Sequence, residues 1–254
     1  MNITLLVAIP LITAFVSILS KKIAPYMLIV VALFNVISLD FYSKGTVLIG
    51  NFAAPFGIEL VLDNMSLFAL YVVNILFFLV VVINYRELRK LSSILLVALA
   101  GLNGLLLTGD LFNLFVFLEI SAIAGYLITT TNKKPLATFH YLVVGTVGSS
   151  LYLLGLIILY SMFGTLNMSD LSTVMNTGNM HISVVAIPFL LMFIGFGVEV
   201  KLLPFNAWVK NILGTSNTLS GPMIASVYAS AMAFVFGRLL TQVFIISDSL
   251  MMII

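Results

Sequence analysis

Apolar runs about twenty residues long recur along this chain, and no fold with a water-facing exterior can house them. A helix rises 1.5 Å per residue, so such a run crosses a ~30 Å hydrocarbon layer. A helix also satisfies its own backbone groups, which lipid cannot do. Eight spans are read, at about 2–20, 24–42, 64–84, 92–108, 110–131, 136–162, 183–208 and 218–241. Of 254 residues, 62% are hydrophobic and 8% charged, outside the range of soluble domains. The expected fold is an all-α integral membrane bundle, one membrane domain over 1–254, with helices one to three in 1–84. Segments 43–63 and 164–182, rich in Gly, Thr, Asn and Asp, read as the longest exposed loops. Residues 1–19 lack a basic leader, and Lys21 and Lys22 follow the apolar run instead. That order predicts a retained first span rather than a cleaved signal.

Charge placement sets an orientation. Lys21, Lys22, Arg86, Arg89, Lys90, Lys133, Lys134 and Lys210 follow the odd-numbered spans, against Lys44 and Arg238 on the other side. The bias places the odd-numbered loops in the cytoplasm and both termini outside a cell membrane. Glu59, Asp63, Asp110 and Asp170 fall on the outer side. The chain has no cysteine, which excludes disulfides and thiolate-held zinc or iron–sulfur clusters within it. Two histidines, His140 and His181, are too few for a haem or metal cage. No nucleotide-binding loop, nucleophile elbow or basic nucleic-acid patch occurs. Hence no metal, cofactor, nucleic-acid partner or catalytic redox residue is expected within the chain.

The candidate functional residues are ionisable groups inside the spans. In GDLFNLFVFLE, Glu119 lies nine residues past Asp110, roughly 13–14 Å into the helix and near mid-membrane. A carboxylate at that depth is costly and marks a functional site. It is read as a proton-relay group, or as a structural carboxylate bonded to a neighbouring helix. Glu199 and Lys201 precede Pro204 in VEVKLLPFNAW. Two residues apart on a helix they face opposite ways and cannot pair. Lys201 either meets Glu119 or snorkels to the interface. Pro204 predicts a kink or break, and a broken membrane helix lines protein or water. His140, one turn into span six, is either a proton shuttle or a wetted cap. Asp110 reads as an N-cap, Asp170 as a loop or cap residue, and Arg238 as a ligand for lipid phosphate. Gly145, Gly148 and Gly155 on span six predict close helix packing.

These residues carry a resemblance. GDLFNLFVFLEISAIAGYLI, the HYLVVGTVGSSLYLLGLIILYSMFGTLNMSDLS segment, GFGVEVKLLPFNAW and LSGPMIASVYASAMAFVFGRLL occur in order between about 57 and 240. Together they resemble the antiporter-like subunits shared by respiratory complex I, Mrp-type sodium/proton antiporters and membrane-bound hydrogenases. The resemblance implies an antiporter-like five-helix repeat over 92–241 with a broken seventh helix, and Glu119 in the place of the family's key glutamate. It implies a subunit of the membrane arm of a redox-driven proton or sodium pump. Its partners would be other membrane subunits, full-length antiporter-like paralogues among them, and lipid. The family's glutamate works with a lysine. Here the position five residues before Pro204 is Glu199, with Lys201 displaced by two. Asn206, Ser230 and His140 stand where the family has histidine, lysine and lysine. Members also carry a second inverted repeat, which is expected to be missing here, SDSLMMII being too short for a further span. The proton or ion path is therefore expected to run through Glu119, Glu199, Lys201 and His140, or the chain is a degenerate, non-conducting spacer between its neighbours.

Overall fold

Each apolar run forms a helix. In the computed structural model, which describes residues 2–52, 57–132, 134–177 and 182–244, these are α1 Leu5–Ile18, α2 Ala24–Ser38, α3 Asn64–Ile83, α4 Ser92–Leu107, α5 Leu111–Thr129, α6 Pro135–Phe163, α8 Ile182–Val200 and a last helix, Ser220–Val243. Two shorter helices, α7 Met168–Thr177 and α9 Ala207–Thr215, lie between them. Lys133, His181 and 245–254 fall outside the described residues. Five of the helices are long and apolar enough to cross a membrane, and three more are shorter and apolar. α6, at 29 residues, is about 43 Å long, so it tilts or projects beyond the ~30 Å hydrocarbon layer.

The helix starts follow from local chemistry. Asp63 caps α3 by accepting the Ser66 amide at 2.7 Å, while the Ser66 hydroxyl accepts the Asp63 amide at 2.8 Å. This reciprocal box satisfies two free amide groups at once. Asp110 caps α5 through the Asn113 amide at 2.8 Å, as its position predicts. α6 begins on Pro135, whose missing N–H costs nothing there. It ends on Gly164, with φ 68, in the left-handed geometry that glycine adopts without strain.

The two expected loops are structured. Segment 43–63 holds an antiparallel hairpin, β1 Gly45–Leu48 paired with β2 Glu59–Leu62, in the register Gly45 to Leu62. Along β2, Leu60 and Leu62 are buried while Glu59 and Val61 are half-buried. Four residues are too few for that alternation to stand out beside helical runs. Segment 164–182 contains α7, whose first amides, of Ser169 and Asp170, donate to Asn167 Oδ1 at 3.0 and 3.1 Å. Asp170 thus lies in the first turn of a helix, where its charge favours the dipole. Backbone bonds from Gly109 to Glu59, Leu111 to Leu166 and Met168 to Gly109, each 2.9 Å, tie hairpin, α5 start and α7 into one cap.

Loops at the other end meet one another. Asn217 Nδ2 donates to Thr131 Oγ1 at 2.7 Å, Ser220 to Asn132 Oδ1 at 2.5 Å, and Thr218 to Glu87 at 3.0 Å. The loops after spans three, five and seven therefore share one face.

α4 forms the centre, with 13 of its 16 residues buried. In lipid no hydrophobic force drives helices together, so close packing and hydrogen bonds must. Asn74 of α3 donates to Asn103 Oδ1 of α4 at 2.9 Å, and Asn103 donates to the Leu6 carbonyl of α1 at 3.0 Å. α6 and α8 lie along each other. A methyl on Gly148 would sit 3.0 Å from the Gly195 carbonyl, and one on Gly155 only 2.6 Å from that of Pro188. The glycines of span six are packing residues, as expected. Leu19, Phe15, Ile83 and Phe139 are among the large apolar side chains left on the outside, which suits a lipid surround.

Arg238 does not reach for lipid phosphate. It is 8% exposed and donates to the Leu106 and Thr108 carbonyls at 3.4 and 3.3 Å. It also meets Asp63 at 3.9 Å. The open carbonyls at the α4 end claim the guanidinium, and turning it outward would leave them unpaired.

Candidate functional site

The site gathers where span seven stops. A proline ring collides with the carbonyl four residues before it. For Pro204 that residue is Val200, and α8 ends there. The span therefore closes at Val200, not at 208, and α9 is a separate helix. The ending has a defined geometry. The Leu202 amide reaches the Gly197 carbonyl at 2.9 Å and the Lys201 amide reaches Val198 at 3.3 Å, the paired bonds of a Schellman cap. Lys201 takes the left-handed position that glycine usually fills, with φ 66. The Leu203–Pro204 peptide is cis.

The cap, rather than helical spacing, sets the relation of Lys201 to Glu199. Lys201 has left the helix, and its chain direction reverses. Its ammonium donates to the Glu199 backbone carbonyl at 3.4 Å and lies 5.9 Å above the Trp208 ring, a cation–π distance. Among the described residues, no ammonium–carboxylate pair forms with Glu199. The Lys201 charge acts on Glu199.

Glu199 is the most enclosed ionisable group of the set, 2% exposed, and its Oε1 has no hydrogen-bond partner among the described residues. It lies within electrostatic range of Lys201 and of Glu119. Glu119 is half-buried on α5. A methyl on Gly145 would fall 2.9 Å from Glu199 Oε1 and against the Tyr126 hydroxyl. The bare backbone of α6 thus makes room for the carboxylate. The charge of Glu199 is also felt by Tyr126, Tyr141 and Tyr228. Tyr126 meets Tyr141 edge-on at 4.6 Å, and Tyr141 stacks on Trp208 at 4.1 Å. Tyr228 donates to the Ser121 carbonyl at 2.8 Å from a wider π turn over 223–228 of the last helix, a local form that recurs at functional sites.

The structure puts Glu199 in electrostatic range of both Glu119 and Lys201 and places Pro204 just beyond. His140 is exposed on α6 and does not join the group. The three tyrosines were missed. One signal was present: Tyr126 is seven residues from Glu119, two helical turns along the same face. Chemically the arrangement is one buried carboxylate within range of a second carboxylate and of one ammonium, walled by phenols. It can hold or pass a proton or a small cation; no described residues form a metal-ligating cluster.

Comparison with known proteins gives the chain's family. The NADH-quinone oxidoreductase subunit N of Desulforudis audaxviator is 34% identical over 73% of this chain and 39% of its own length. A Na(+)/H(+) antiporter subunit of Alkalihalophilus pseudofirmus is 35% identical over 82% of this chain and 42% of its own. The chain thus spans less than half the length of these curated relatives. A chain of the membrane-bound sulfane sulfur reductase, an archaeal respiratory membrane complex, superimposes with a TM-score of 0.85 at 29% identity, over 94% of this chain and 53% of that one. Residues 108–254 match the family described as NADH:quinone oxidoreductase/Mrp antiporter, TM. That match takes in the carboxylates, the break and the last helix, and the chain belongs to this family of membrane subunits.

Proposed function

We propose that this chain is a subunit of the membrane arm of a complex-I-related, redox-driven proton or sodium pump, and that it takes part in ion translocation without redox chemistry of its own. The observation that carries this reading is the buried Glu199 carboxylate, whose Oε1 has no hydrogen-bond partner among the described residues, in electrostatic range of Glu119. An isolated carboxylate inside a membrane is expensive to keep. Two such groups reach low free energy with one proton or one cation between them. Lys201, held at the cap by the Glu199 carbonyl and Trp208, supplies the countercharge that lets this ion leave. Glu199 then occupies the station that a lysine fills elsewhere in the family, with the local sign reversed. In this reading the repeat runs over 92–241, the chain sits in a cell membrane with both termini outside, and other membrane subunits pack against it, full-length paralogues included.

The test is ion-gradient formation by inverted vesicles carrying the assembled complex. Glu199→Gln keeps size and shape but cannot ionise. It is expected to cut the gradient about tenfold or more with assembly intact, and Glu119→Gln to cut it less, because Glu119 is half-buried and water can substitute for it. A second reading, the non-conducting spacer, draws on the lack of an ammonium–carboxylate pair at Glu199. Unchanged pumping by both variants in intact complex would establish it and overturn the proposal.

A further inference from the structure

A groove on the outer surface of the bundle has no place in the ion path. It lies among α1, α4 and α5, has a volume of about 220 Å³, and is lined by apolar side chains with Ser93. Phe15, Ile18 and Ile123 on its walls are 68%, 63% and 53% exposed, so it opens outward. Beside it, the Ser17–Ser93 hydroxyl bond of 2.7 Å ties the end of α1 to the start of α4.

The groove runs up to one end of all three helices. Ile18 ends α1, Ser93 lies in the first turn of α4, and Leu127 lies in the last turn of α5. Each lining stretch, such as Ala14 to Ile18, covers about 6 Å of helix axis. The same three connections carry charge next to the lining residues: Lys21 and Lys22 follow Ile18 of α1, Arg89 and Lys90 precede Ser93 of α4, and Lys134 lies beyond the end of α5. All five are exposed. Glu87, the acid of the same stretch, accepts from the Thr218 hydroxyl and leaves these connections with a net excess of cations. A dry slot thus opens toward exposed basic connections.

We propose that this groove seats an anionic phospholipid, with an acyl chain between Phe15 and Ile123 and the phosphate on Lys21, Lys22, Arg89 and Lys90. The chemistry matches at both ends. A saturated chain asks for apolar walls and no hydrogen-bond partners. A net-negative headgroup gains from several basic side chains held at the membrane surface, and basic side chains bury their stems in the interface while their heads meet phosphate. A zwitterionic headgroup brings its own cation and forfeits most of that gain. The site is independent of ion conduction, because neither Glu119 nor Glu199 contributes to it.

Two measurements test it on the full chain. In native mass spectrometry of the purified protein, phosphatidylglycerol should be retained about tenfold or more over phosphatidylcholine. The K21Q/K22Q/R89Q/K90Q variant should lose that preference, and inorganic phosphate should not displace the lipid. Val97→Phe, or Ile123→Phe if the first does not assemble, fills the slot and should lower retention with the charges intact. Equal retention of both lipids, or a preference that survives loss of the four charges, overturns the proposal. Displacement by phosphate alone, or no effect of filling the slot, reduces the site to a surface charge and overturns it as well. A photoreactive benzoylphenylalanine in place of Phe15 should cross-link phospholipid in native membranes, and a cross-link to protein instead would assign the groove to a neighbouring subunit.

Discussion

Asp63 carries the clearest electrostatic consequence outside the spans. Burial pushes its carboxyl up, but the Ser66 amide and hydroxyl, the Arg238 guanidinium and Gln242 together hold it below the ordinary value of 3.8. A folded-state pKa below the unfolded one stabilises the fold above the unfolded pKa, and that part is lost as pH falls through the folded value. Asp110 runs the other way. Burial raises it, the amides of Asn113 and Phe112 oppose this, and the Glu59 charge adds to the rise. Its contribution is present in acid and lost as pH rises through its folded value. Thermal unfolding in detergent should therefore lose an acid-side decline in Asp63→Asn, while Asp110→Asn should gain relative stability near neutrality. Asn keeps the α3 cap, so Asp63→Ala should cost about 1 kcal/mol more than Asp63→Asn. Equal losses would deny the cap its role. At this scale the sequence was readable where depth alone matters: Glu119 and Glu199 stand out as carboxylates in apolar runs. It was unreadable where one dihedral angle decides. Nothing in VEVKLLP marks Lys201 as the left-handed residue, because glycine is the usual sign and lysine stands there instead. Arg238 misled for a related reason, since its partners are backbone carbonyls of another helix, and carbonyls have no letter in a sequence.

At the scale of elements, hydropathy found the eight apolar helices because the membrane imposes a single length on them. It could not find β1, β2 or α7, which lie outside that constraint and are short. The end of α8 was legible in principle: the proline rule points to the residue four before Pro204, and that rule places the stop at Val200 more sharply than the apolar run does. The pairing of α6 with α8 rests on small residues, and it makes a quantitative expectation. A methyl on Gly195 would meet the Tyr152 backbone nitrogen at 2.6 Å, where no flexible side chain can give way. Gly195→Ala should therefore destabilise the bundle by about 1–3 kcal/mol, read as a lower unfolding temperature in detergent. Gly214→Ala is the control, since nothing lies within 4 Å of its added methyl, and its unfolding temperature should not fall, the helix preference of alanine over glycine raising it slightly if anything. Because Gly148 and Gly155 border the same seam, the loss at Gly195 should also shift Glu199 relative to Gly145 and Tyr126. Ion movement should fall in that variant even where assembly survives.

Across the whole molecule, two ends of unlike character face each other. One end carries the hairpin, the start of α5 and α7, with Glu59, Asp63, Asp110 and Asp170 about it. The other carries the hydrogen-bonded loops after spans three, five and seven, and with them Arg86, Arg89, Lys90 and Lys134. The contacts of Asn217 with Thr131 and of Thr218 with Glu87 require these loops to lie on one side. The even-odd alternation of the chain is thus built into the fold, and its absolute sense remains a matter of charge. Basic residues in short loops resist transfer across the membrane, whereas acidic ones weigh little. The basic end should therefore face the cytoplasm, with Arg89 inside and Lys44 outside. Arg89 and Lys44 are both exposed, so each replaced by cysteine offers a reagent-accessible thiol in a chain that has no other cysteine. A membrane-impermeant maleimide added to sealed cells should label Lys44→Cys and leave Arg89→Cys unmodified until the membrane is opened. The reverse pattern would turn the bundle over. It would place the lipid groove in the outer leaflet, and it would put the hairpin and α7 at the cytoplasmic mouth of any ion path through Glu119 and Glu199.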